Sequence, residues 1–152
     1  MKKWIAFVIA FVLLFSVACA DSMDEFMEAW NKAAHIYGAP EMTMENAYTG
    51  EGAFAFFTDD YGVKVELEND EIVRAAVIAR DGDTFLPLAV MLGVTVVKNK
   101  SAETLQRFLG NVLTLYLRMI SDQSTRHSSF DCYEFHMEKS EQGFLMMRME
   151  LQ

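Results

Sequence analysis

Three histidines, two cysteines and 11 methionines are the side chains here whose chemistry reaches beyond charge and packing. No Gly-x-Ser-x-Gly, Ser-x-x-Lys or His-Glu-x-x-His pattern accompanies them, so neither an activated serine nor a helical zinc pair is spelled out. His35, His127 and His136 are far apart and carry no local motif. Cys132 and His136 sit in one apparent strand, where four positions span about 13 Å at roughly 3.3 Å per residue. That separation rejects a direct thiol–imidazole pair. Cys132 lies within Phe130-Asp131-Cys132-Tyr133-Glu134-Phe135 and reads as a half-buried strand cysteine, a small hydrophobe rather than a nucleophile. No catalytic residue is expected.

Methionine is the compositional anomaly, densest at Met42-x-Met44 and Met146-Met147-Arg148-Met149. Thioethers are soft ligands that suit Cu(I), and His136 adds an imidazole, so His136, Met147 and Met149 form a candidate copper set. The competing reading is burial, with Met147 and Met149 beside Leu145 and Leu151 on one strand face and Met23 and Met27 on one helix face. Methionine fills irregular cores and also makes adaptable binding surfaces. Burial is the reading adopted, and no cofactor is expected. The carboxylates of Asp59-Asp60, Asn69-Asp70-Glu71, Asp81 and Asp83 fall at turns, where Asp and Asn bond the local backbone. Asp81-Gly82-Asp83 is far short of a twelve-residue calcium loop. A glycosidase-like pair needs only two carboxylates placed by the fold, and nothing selects one.

The elements that must position these groups follow from periodicity. Ser22-Met23-Asp24-Glu25 reads as a capping box, after which Met23, Phe26, Met27, Trp30, Ala33, Ala34 and Tyr37 recur at helical spacing until Gly38 and Pro40. Residues 39–51 look like a connector. Ala53–Phe57, Val63–Glu68 and Ile72–Arg80 are strands joined by turns, an antiparallel meander with one wet face. Asp83 or Thr84 caps a helix to about Val97, with Pro87 in its first turn. Gly93 and the run Val94–Val97 weaken that helix. Lys98-Asn99-Lys100 breaks the chain, and Ser101 caps a second helix with the stripe Leu105, Phe108, Leu109, Val112, Tyr116, Met119 and Ile120. Ser121–Ser129 reads as a polar loop, followed by strands Phe130–Met137 and Gly143–Leu151. The expectation is an α+β fold, order α-βββ-αα-ββ, with a five-stranded antiparallel sheet and helices packed on one face. The order of elements is similar to that of small secretion-chaperone-type domains, a likeness of topology rather than of any site.

Residues 1–20 read as a secretory signal peptide: Lys2 and Lys3, the apolar run Trp4–Phe15, then Ala18-Cys19-Ala20. Cleavage after the Ala-x-Ala pattern leaves Asp21 first. Alternatively, Phe15-Ser16-Val17-Ala18-Cys19 resembles the lipobox of bacterial lipoproteins, although Ser16 stands where leucine is usual. That resemblance implies diacylation of Cys19, and two acyl chains suffice for stable anchoring. Removing twenty of the 152 residues leaves 132, which suits a single α+β domain over residues 21–152. Losing Lys2 and Lys3 takes the formal charge from −9 to −11. Such acidity argues against nucleic acid and against an anionic membrane surface, so membrane contact would come only through the signal or a lipid. With Cys132 the only unmodified cysteine, no intramolecular disulfide is expected.

A sheet covered on one side exposes alternate residues on the other. Ala53, Ala55 and Phe57 oppose Phe54 and Phe56, while Phe144 and Met146 oppose Leu145 and Met147. Ala53, Ala55, Phe57, Phe144 and Met146 are therefore the candidate binding face, suited to a peptide, a lipid or a second copy of the chain. The expectation is an extracytoplasmic, non-enzymatic binding or assembly module, secreted, periplasmic or lipid-anchored. A methionine/histidine copper protein is the alternative, and an unrecognised hydrolase the third.

Overall fold

The computed structural model describes residues 22–37, 39–50, 52–97, 101–122 and 126–152. The signal segment with Cys19, the helix stop at Gly38 and the break at Lys98-Asn99-Lys100 lie outside them. Ser22 opens α1 (Met23–Tyr37), its hydroxyl oxygen accepting the Glu25 amide at 3.4 Å. One stripe of this helix buries Phe26, Trp30, Ala33 and Ala34. The connector beyond is tied back by Asn31, which donates to the Met42 carbonyl and accepts from the Met42 amide, both at 2.7 Å.

That connector is not wholly irregular: Ala47–Gly50 forms β1, paired with β2 (Ala53–Phe57). The expected meander follows as β2, β3 (Tyr61–Glu68) and β4 (Glu71–Ala79). Asn69 and Asp70 both take positive φ (54° and 66°) in the two-residue turn between β3 and β4, a turn conformation that Asn and Asp tolerate.

Asp81, rather than Asp83 or Thr84, caps α2 (Gly82–Val96), its carboxylate accepting the Thr84 amide at 2.8 Å. Pro87 consequently lies in the second turn, not the first. The cost that Gly93 imposes on helix propensity is offset by packing. A Cβ there would lie 1.7 Å from the tip of the Phe108 ring, so the bare backbone is the seat for a ring of α3 (Ala102–Asp122). Ten residues of α2 are buried, as befits a helix apolar all round. In α3, Ser101 caps as expected, and Leu105, Phe108, Leu109, Val112, Leu115 and Met119 are buried. Ile120, expected in that stripe, is 46% exposed.

The chain then departs from the expected order. Arg126–Phe130, expected largely as loop, is β5. Asp131 (φ 50°) and Cys132 turn the chain into β6 (Tyr133–Lys139), and β7 (Leu145–Leu151) closes the sheet. Among the described residues the sheet has seven antiparallel strands rather than five, in the order β1-β2-β3-β4-β7-β6-β5. Cys132 is accordingly an exposed turn residue, not a half-buried strand residue.

Helices cover one face. Phe26 of α1 meets Phe54 edge-on at 5.6 Å between centroids, and Phe108 of α3 meets Phe135 at 5.7 Å. The Tyr133 hydroxyl donates to the Val96 carbonyl at the end of α2. Phe54, Phe56, Val63, Val65, Ala75, Val77, Phe135, Met137, Leu145, Met147 and Met149 point into this layer and are buried.

Candidate functional site

Strand register fixes what shares the other face. One cross-strand row reads Phe57, Gly62, Ile78, Met146, Glu138; the next Tyr48, Ala55, Lys64, Ala76, Arg148, His136, His127; the third Gly50, Ala53, Glu66, Arg74, Glu150, Glu134, Ser129. No described helix lies over these rows. Their character changes from apolar near β1 and β2, through charged in the middle, to imidazole and carboxylate at β5 and β6.

The apolar corner is built around a glycine. At Gly62 a Cβ would come within 2.6 Å of the Phe57 ring and 3.1 Å of Ile78. With no side chain there, Phe57 lies down across the sheet. Tyr48 packs beside it with ring centroids 6.0 Å apart, yet Tyr48 remains 71% exposed and Phe57 56%. Ala55 and Ile78 beside them are half-buried, as is Met146, the neighbour of Ile78 on β7. Of the five expected binding residues, Ala53, Ala55, Phe57 and Met146 therefore share one face. Phe144 precedes β7 in the hairpin loop, with its amide donating to Ser140 Oγ at 3.0 Å and the Arg80 guanidinium 5.9 Å from its ring. Tyr48 and Ile78 also belong to the corner, Tyr48 on a four-residue strand too short to show alternation and Ile78 through its register with Gly62 and Met146.

Ion pairs hold the middle. Lys64 and Arg74 both contact Glu66, Arg74 Nε donates to Glu150 at 2.9 Å, and Arg148 Nε lies 3.1 Å from the same Glu150 oxygen. The hydrogen bond from Lys64, aided by Arg74, holds the Glu66 carboxyl below the usual carboxylate range despite partial burial. A shallow groove beside Gly52 and Leu67 has Lys64, Glu66, Arg74 and Glu150 in its floor, so its charges already satisfy one another.

Comparisons with protein-family models, with curated proteins and with solved structures each find no match. The site must be read from its own geometry.

That geometry separates two of the sequence-based groupings. His136 stands on the open face, whereas Met147 and Met149 point into the helix layer and are essentially fully buried. The three proposed copper ligands do not meet. Asp81, part of the weak calcium pattern, spends its carboxylate on capping α2. Among the described residues no helix is long and apolar enough to cross a membrane. What the structure does bring together is His136 with His127 and Glu134. The sequence carried no signal for that cluster, because it requires β5 to pair with β6 in one register.

Proposed function

We propose that the protein is an exported, non-enzymatic module that binds or assembles through the apolar corner of its open sheet face. The observation that carries this reading is the Tyr48–Phe57 pair, two large rings side by side and more than half exposed. Scattered apolar residues are ordinary on a surface, but contiguous aromatic area on an otherwise charged face is the mark of a contact site. Tyrosine and phenylalanine also supply much contact area with little rotamer entropy to lose. A second copy of the chain is the occupant best supported. The corner adjoins β1, a four-residue strand at the sheet edge, and edge strands offer unpaired backbone groups. Two copies related by a two-fold axis would bring corner to corner across that edge.

Export rests on the layout of residues 1–20, and the two fates of Cys19 separate a soluble form from a lipid-anchored one. The acidic balance supports neither nucleic acid nor an anionic membrane surface as partner. Light scattering with hydrophobic-dye titration on the purified mature protein tests the binding reading. A dimer, or a monomer that binds dye, is expected, and a dye-silent monomer removes the proposal. Intact mass tests the export reading. A chain beginning at Asp21 or a diacyl adduct on Cys19 is expected, and retention of residues 1–20 in the exported fraction contradicts it.

A further inference from the structure

At the opposite edge of the open face, we propose that His127, Glu134 and His136 bind one divalent transition-metal ion of the zinc class. His127 on β5 and His136 on β6 are direct cross-strand partners, with ring centroids 4.6 Å apart. Glu134, two residues before His136, points to the same face. One donor atom from each of the three lies within 4.8 Å of the others. His127 Nε2 is already 3.6 Å from Glu134 Oε2. Ligands at about 2.0–2.1 Å from a tetrahedral zinc are themselves roughly 3.4 Å apart. The first pair is thus near its final spacing, and closing on His136 needs only side-chain rotation.

The scaffold under these groups is rigid. β6 is hydrogen-bonded on both sides, to β5 and to β7, and its inward residues Tyr133, Phe135 and Met137 are anchored in the core. The second Glu134 oxygen accepts from the Gln152 side-chain amide. Such an outer partner orients a carboxylate ligand. Two imidazoles and one carboxylate suit zinc, nickel or copper(II), whereas magnesium and calcium prefer oxygen alone. Arg148, across from His136, is the adverse charge. Its Nε lies against Glu150, which itself faces Glu134, and Glu138 adds a further negative charge two residues past His136. His127 is half exposed and Glu134 about one-third, so water completes the coordination and the ion exchanges freely.

Calorimetric titration of the purified full mature protein with zinc chloride tests the site, with magnesium and calcium chloride in parallel. One zinc per chain is expected at pH 7.5, with no comparable uptake of the other two ions. His127→Ala, Glu134→Gln and His136→Ala should each weaken binding about tenfold or more, with unchanged circular dichroism. Cys132→Ser should leave it intact. Acidification to pH 5 should release the ion, because ligands must be unprotonated to bind. No stoichiometric zinc uptake overturns the proposal. So does uptake that survives both histidine substitutions, or that is lost with Cys132→Ser.

Discussion

The two faces of this sheet are built from the same strands, yet they are spent differently. On the helix side the rows Phe54–Val65–Ala75–Met149–Phe135 and Phe56–Val63–Val77–Met147–Met137 are apolar across the five inner strands, and only the edge strands β1 and β5 continue them with Thr49, Ser128 and Arg126. On the open side the intervening rows run from aromatic through ion-paired to imidazole and carboxylate. A face that only has to fold needs complementary volume across its whole width. A segregated face gains nothing for packing from its segregation, which is why we read it as a surface with two ends. Met146 and Met147 make the contrast at a single step: one is half-buried against the open corner, the other is fully buried between sheet and helices.

If that division is right, substitutions on the helix side should cost folding. Phe135→Ala removes a fully buried ring in contact with Phe108 and should cost about 4 kcal/mol in chemical denaturation. Gly93→Ala comes next, at about 3 kcal/mol, since Phe108 must be displaced to admit a methyl group. A loss below about 1 kcal/mol at either position would break the contrast. Asp81→Ala removes the cap of the buried helix and should cost about 1 kcal/mol.

Open-face substitutions should be nearly silent in the same measurement. Tyr48→Ser is expected to stay within about 0.5 kcal/mol of the parent while lowering dye binding. Smallest of all should be the loss, in acid, of one ion-paired carboxylate. Glu66 has its carboxyl lowered by Lys64 and Arg74, so its contribution is present above the ordinary glutamate range and lost as pH falls through the lower folded value. The stability gap between the parent and Glu66→Gln should therefore shrink between pH 6 and pH 3. A gap constant with pH would show that the ion pairs contribute nothing.

Much of the helix side was legible because burial writes a period into the chain. The capping serines 22 and 101, the stripe of α1 and the alternation of Val63, Val65, Leu145, Met147 and Met149 needed no knowledge of long-range pairing. The sheet edges were not legible. Ala47–Gly50 is too short to show alternation, and Arg126–Phe130 carries Arg, His and two serines because it is flanked on one side only. Phe130–Phe135 reads as an uninterrupted strand, but the left-handed conformation of Asp131 turns it into a hairpin. That turn moves Cys132 to the surface and sets His127 opposite His136. Parity alone puts Ala53, Ala55, Phe57 and Met146 on one face, and the strand register agrees; the His127–Glu134–His136 cluster depends on a pairing that no local pattern announces.

If the aromatic corner is the contact surface, the exposed apolar area that matters belongs to the sheet and not to the helices. Leu117 and Ile120 on α3 are exposed to a similar degree as Phe57 and supply the control. Hydrophobic-dye titration of the mature protein, of Tyr48→Ser/Phe57→Ser and of Leu117→Ser/Ile120→Ser decides between them. At a dilution where light scattering shows the parent to be monomeric, dye binding by the parent and the helix variant, with most of it lost in the sheet variant, is the predicted result. Binding that persists in the sheet variant and disappears in the helix variant would contradict the account.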